Sequence, residues 1–203
     1  MDSKQRTPSF FSGIQFIDPW SEPDQLLAAW GENLSPSLRE LLTWRGSLTQ
    51  RLEDIIGERV ELQLINHENQ SSWPQNTPFW TQPDANELGV DILIRDAWLV
   101  LDGNRYVFAH SEIVLNDLPV SDRQAIMAGD QALGYFFMEK NGRLKREWLQ
   151  LRRIFTQNSS NFLKFGGTAP CWCRRSMFHV NERLRARIVE IFPSVLPFSS
   201  PVP

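Results

Sequence analysis

Cysteine and histidine are scarce in this 203-residue chain, with two of the first and three of the second. Cys171 and Cys173 are separated by one residue, and a disulfide between such neighbours would be strained. His67, His110 and His179 show no metal-ligand spacing, so no metal is expected, and the cysteines read as reduced packing residues. Long apolar runs are also lacking. No stretch approaches a spanning helix, and Met1-Asp2-Ser3-Lys4-Gln5-Arg6 leads into no apolar segment. Neither a secretory leader nor membrane insertion is expected, and the expected compartment is the cytoplasm. There is no basic excess, since 21 Lys and Arg face 24 Asp and Glu for a formal net charge of −3. That balance argues against nucleic acid as a partner. A phosphate-binding glycine loop is missing as well, and no cofactor is expected. The chain is read as a monomer.

What is present is enough apolar residues for one core, 41% of the chain. Three segments are expected: an extension over residues 1–22, a single domain over 23–193 and an extended tail over 194–203. Pro23 to Trp30 reads as a short helix. Ser35-Pro36 opens a second, with Ser35 as N-cap and proline at the first helical position. Ser47-Leu48-Thr49-Gln50 has capping-box spacing for a third, running to about Gly57. Val60, Leu62 and Leu64 alternate as in a strand. Residues 67–89 are rich in Ser and Pro and carry Trp73, Phe79 and Trp80, which suits a long loop packed onto something. Val90 to Leu101 is apolar on both faces and should be an interior strand. Asp102-Gly103 then turns the chain into a return strand. Val120 to about Gly129 is expected as a helix, Leu133 to Met138 as a strand and Lys145 to Ile154 as another. Trp172–Val180 and Arg183–Phe192 form a last hairpin around Asn181-Glu182. Helices followed by hairpin-linked strands predict an α+β fold, an antiparallel sheet with helices packed on one face.

Two charges interrupt this pattern. In the last strand Leu184, Ala186, Ile188, Glu190 and Phe192 share one face. A carboxylate among four apolar neighbours is expensive unless it is paired, protonated or facing a ligand. Arg95 sits likewise among Leu93, Ala97, Leu99 and Leu101. Counting back from a two-residue turn at Asp102-Gly103 pairs Arg95 with His110. The same count from Asn181-Glu182 sets Glu190 opposite Cys173, with Arg175 diagonal to it and Arg174 on the far face beside Arg187. One reading is a structural ion pair. The other is a site for a small anion, with arginine reading a carboxylate and a glutamic acid of raised pKa meeting a hydroxyl.

The pieces that carry these residues occur in one order: Gly46-Ser47-Leu48-Thr49, Arg95-Asp96, Asp102-Gly103, Val107-Phe108-Ala109-His110, Leu133-Gly134, Trp172-Cys173-Arg174-Arg175-Ser176 and Val189-Glu190-Ile191-Phe192-Pro193. Over roughly Leu42 to Pro193 the chain resembles the bacterial chorismate pyruvate-lyases. The resemblance implies a chorismate lyase-like fold whose ligand is enclosed under flaps. It implies a lyase that eliminates pyruvate from chorismate to give 4-hydroxybenzoate, the first step towards ubiquinone. Arg95 would hold the ring carboxylate, Glu190 would meet the hydroxyl, and Leu48 and Leu133 would supply backbone contacts. Arg95 and Glu190 are thus the catalytic candidates. For the enolpyruvyl carboxylate the candidates are His110 and Arg175, with Arg153 behind them. Arg185 and Arg187 stand where the family has apolar or small residues, which implies a more solvated sheet face.

Two other readings compete. One is a non-catalytic aromatic-acid binding protein of the same fold, like the effector domains of some GntR-type regulators. The other is an interaction protein using its tryptophan-rich loops, which a cavity too small for a benzoate would favour.

Overall fold

A computed structural model describes residues 14–74, 79–80, 89–139, 144–156, 170–193 and 196. Residues 75–78 and 81–88 of the loop expected over 67–89 and most of the tail expected over 194–203 lie outside them. Local signals set the first helices. Helix α1 spans Pro23–Trp30, with proline in its first turn. Helix α2 spans Pro36–Thr43, and the Ser35 hydroxyl accepts the Leu38 N–H at 3.3 Å. Helix α3 spans Leu48–Ile56, and the Ser47 hydroxyl accepts the Gln50 N–H at 3.4 Å. Gly57 closes α3 at φ +82°, a left-handed conformation that glycine adopts without strain.

The strands are β1 (Ile14–Phe16), β2 (Glu61–Gln70), β3 (Ile92–Leu101), β4 (Asn104–Val114), β5 (Leu144–Thr156), β6 (Cys171–Val180) and β7 (Arg183–Phe192). They form one antiparallel sheet in the order β1-β5-β6-β7-β4-β3-β2. Two further helices, α4 (Val120–Ala128) and α5 (Leu133–Glu139), lie between β4 and β5. The fold is α+β, as expected. No helix among the described residues is long and apolar enough to cross a membrane.

The two hairpins turn where the sequence places them. Asp102 and Gly103 have φ of 47° and 74°, and Asn181 and Glu182 have 51° and 64°, the positive values of a two-residue hairpin turn. Beyond each turn, however, one strand carries an extra residue. Val100 pairs with Arg105 but Leu99 with Val107, so Tyr106 is the surplus. His179 pairs with Leu184 but Phe178 with Ala186, so Arg185 is the surplus. A one-residue bulge reverses which side chains share a face beyond it. Arg95 therefore lies opposite Ser111, and His110 opposite Asp96. Glu190 lies opposite Arg174, not Cys173, and Leu184 joins the other face.

Leu133 to Met138 is the other correction, a helix rather than a strand. Leu133, Phe136 and Phe137 share one buried cluster at helical spacing. Strand β2 also runs three residues past the expected loop start, pairing Glu68, Asn69 and Gln70 with β3. As an edge strand it tolerates their polarity. Ile14–Phe16, within the extension expected over residues 1–22, pair with β5.

The described helices cover one face of the sheet, here called the front. Leu38, Leu41, Leu42 and Leu52 pack there on Leu99, Val107, Trp172 and Phe192. The back is covered by Phe16, Trp20, Phe79 and Trp80 over Trp98, Phe108, Val189 and Ile191. Cys171 and Cys173 share this back face as free, buried thiols. Arg187 is not solvated: it is 5% exposed and stacks 3.7 Å from the Trp73 ring centroid. Arg185 is 9% exposed and donates to the Asn116 carbonyl at 2.7 Å.

Candidate active site

Arg95 projects from β3 onto the front face, 4% exposed. Its Nη1 donates to the Gln131 carbonyl at 2.9 Å, and no carboxylate among the described residues pairs with it. Burial pushes its pKa down to about 10, yet the group stays charged at neutral pH. Glu190 projects onto the same face from β7, two strands away, because Ala109 of β4 lies beside both Ala97 and Glu190. The two opposed charges share one side of the sheet.

Glu190 is held by two arginines. Arg146 donates from Nη1 at 2.9 Å and from Nη2 at 3.4 Å, and its Nη1 also donates to the Ser176 hydroxyl at 2.7 Å. Arg174 donates from Nε to the Glu190 carboxylate and from Nη1 to the carbonyls of Leu41 and Trp44. Burial alone would push the Glu190 carboxyl up. The charges of Arg146 and Arg174 outweigh it and hold the pKa at about 2. The expectation of a raised pKa is corrected: Glu190 is an ionised acceptor.

Arg95, Glu190, Arg146, Leu48 and Leu133 line one pocket of about 40 Å³. Its roof is the first turn of α3 and the first turn of α5. These turns touch: a Cβ on Gly134 would come within 2.5 Å of the Ser47 hydroxyl oxygen. A larger cleft of about 600 Å³ lies alongside, with Thr49, Leu62, Leu99 and Ala132 as common walls. At its rim the Tyr135 hydroxyl of α5 donates to the Glu53 carboxylate of α3.

The other expected cations do not join this pocket. His110 faces the back, with Nδ1 2.6 Å from Asp96 and Nε2 3.5 Å from Glu112. Burial opposes its protonation, but the hydrogen bond to Asp96 and the nearby charge of Glu112 prevail and raise its pKa to about 9. Arg175 also faces the back, where it donates to Gln150 at 2.6 Å and 3.0 Å and to the Phe79 carbonyl. Arg153 pairs with Asp18 at 2.7 Å and stacks on Trp30. The displacements of His110 and Arg175 follow from the bulges at Tyr106 and Arg185.

Arg146 was not anticipated. Its strand β5 has a bulge of its own at Trp148, with φ 53°, which hides the alternation that would have placed Arg146 beside Glu190. Arg174 was visible as half of an Arg-Arg pair, and the bulge selected it over its neighbour.

Comparison with known proteins agrees with this frame. A probable chorismate pyruvate-lyase of Psychromonas ingrahamii is 25% identical over 169 residues, covering 76% of this chain and 84% of the relative. Among solved structures, PhnF from Mycobacterium smegmatis superposes with a TM-score of 0.51 at 12% identity, over 91% of each chain. The PhnF C-terminal domain gives a TM-score of 0.50 at 13% identity, over 74% of this chain and 89% of that one. At such identities these two similarities concern the fold alone. Residues 42–198 match the family described as chorismate pyruvate-lyase Rv2949c-like, and the chain belongs to that family.

Proposed function

We propose that the protein is a lyase that eliminates pyruvate from chorismate and leaves 4-hydroxybenzoate. The observation that carries this reading is that Arg95 and Glu190, far apart in sequence, line one front-face pocket. Arg95, with no carboxylate partner among the described residues, holds the ring carboxylate as a charge-assisted pair. Glu190, ionised, accepts a hydrogen bond from the ring hydroxyl at the other end. Leu48 and Leu133 contribute backbone contacts from the two roof helices. With the ring fixed at both ends, the hydrogen on the carbinol carbon leaves as the C–O bond to the enolpyruvyl group breaks. That hydrogen ends on the methylene carbon, which becomes the methyl of pyruvate, and the ring becomes aromatic. The atoms of chorismate divide fully between the two products, so the step consumes neither oxidant nor water. Fixing a near-attack geometry in a dry site is worth up to about 7–11 kcal/mol. In this reading residues 23–193 are the working unit, and the product serves ubiquinone assembly in the cytoplasm.

Incubating the purified protein with chorismate tests the proposal. Pyruvate and 4-hydroxybenzoate should appear in equal amounts, each at the rate chorismate disappears. A second reading, a protein that binds an aromatic acid without converting it, rests on the same pocket. Its volume of about 40 Å³ is too small for a benzoate, the outcome that the interaction-protein reading expects. Either reading requires α3 and α5 to part for a ligand. Binding of chorismate without pyruvate release would select the second.

A further inference from the structure

We infer that Arg146 is the residue that takes the second carboxylate of a dicarboxylate ligand, and so sets the preference of the pocket for such ligands over monocarboxylates. The inference deepens the reading above and rests on it for the orientation of the ring.

Three features single out Arg146. It lines the pocket that Arg95 and Glu190 line, whereas Arg174 is turned towards the end of α2 and bonded to the carbonyls of Leu41 and Trp44. Its side chain is 1% exposed, and its Nε is a buried donor with no hydrogen-bond partner among the described residues. A buried N–H without an acceptor is a destabilising arrangement that an incoming carboxylate oxygen relieves. Third is the charge count. Arg95 and Arg146 line the pocket, and Arg146 and Arg174 share the carboxylate of Glu190, so among the described residues three buried cations there meet one anion, an excess of two positive charges. A monocarboxylate neutralises one of them and a dicarboxylate both.

Position agrees with chemistry. In chorismate the enolpyruvyl ether is attached to the ring carbon next to the one bearing the hydroxyl. A hydroxyl at Glu190 therefore brings the second carboxylate to the neighbourhood of Glu190, where Arg146 lies 2.9 Å from the carboxylate. Phe178, whose ring centroid is 4.3 Å from the Arg146 guanidinium carbon, backs its face and leaves its edge to bond.

The test compares two stable probes by calorimetry, 4-hydroxybenzoate and 3-(1-carboxyvinyloxy)-4-hydroxybenzoate. The second carries both carboxylates but is already aromatic and cannot eliminate pyruvate. The parent protein should bind the dicarboxylate more tightly by about tenfold or more, the worth of one buried charge pair. In Arg146→Gln that advantage should vanish: 4-hydroxybenzoate weakens because Arg146 also holds Glu190, and the dicarboxylate weakens by about tenfold more. Arg146→Lys keeps the charge without the fork and should retain part of the advantage. A parent without preference overturns the inference, as does equal weakening of both probes in Arg146→Gln. If Arg146→Gln fails to fold, the parent preference and Arg146→Lys still decide. The chorismate assay runs on the same parent sample. Missing pyruvate there sinks the lyase reading, while the probe comparison still judges Arg146.

Discussion

Glu190 and Arg174 face each other across β6 and β7, and the same guanidinium continues to the carbonyls of Leu41 and Trp44. The carboxylate is thereby tied to the end of α2, just ahead of the loop into α3. Removing one member of a buried charge pair typically costs about 3–5 kcal/mol, because the other is left unpaired. Arg174→Met should lose roughly that much in urea unfolding. Adding Glu190→Gln to Arg174→Met should return part of the loss. Additive effects of the two substitutions would show the tie to be energetically idle.

The acid limb of stability should report Glu190. Its folded pKa of about 2 lies below its ordinary value of 4.5, so its contribution is complete above about 4.5 and fades as pH falls towards 2. Glu190→Gln should flatten this part of the profile. Thermal unfolding of both proteins at stepped pH would reveal it, and parallel curves would contradict the assignment.

On the back face the sign reverses. His110, hydrogen-bonded to Asp96 and paired with Glu112, has its pKa raised to about 9 from an ordinary 6.5. Its contribution is complete below about 6.5 and is lost as pH rises through about 9. His110→Gln should lack that alkaline decline. The imidazole signals followed by NMR should titrate near 9 in the parent, and titration near 6.5 would remove the basis for this expectation.

Arg95 should separate function from stability. Among the described residues it has no carboxylate to leave behind, so Arg95→Met should fold with unchanged or higher stability. Its effect on chorismate should be a loss of about 2–5 kcal/mol in kcat/KM, the worth of an unpaired ligand carboxylate. Parent-level turnover in this variant would refute the role of Arg95.

Gly134 should be intolerant of even one methyl group. An added Cβ would sit 2.5 Å from the Ser47 hydroxyl oxygen and 3.1 Å from its Cα, and that second neighbour is backbone. Gly134→Ala should cost about 1–3 kcal/mol and weaken 4-hydroxybenzoate binding by displacing α5 from α3. A variant with parental stability and affinity would mean that the roof helices are not held in contact.

Much of this architecture was legible. Ser35, Ser47 and Gly57 announce helix ends, because caps act through one or two bonds close in sequence. Asp102-Gly103 and Asn181-Glu182 announce hairpins for the same reason. Arg95 and Glu190 stood out as charges on apolar faces. The partners of these charges were not legible, since pairing depends on register over several residues, and the surplus Tyr106 and Arg185 leave no mark in composition. Leu133 to Glu139 fit either period over so short a run, and packing of Phe136 and Phe137 decided it.

The surplus residue at Arg185 reaches further than its own hairpin. In an Arg-Arg step only one member can stand behind the carboxylate, and the choice is made a hairpin's length away. A relative that lacked the extra residue would hand that task to the other arginine while spelling the same motif. Matching letters in such a protein would then pair side chains that look out from opposite sides of the sheet.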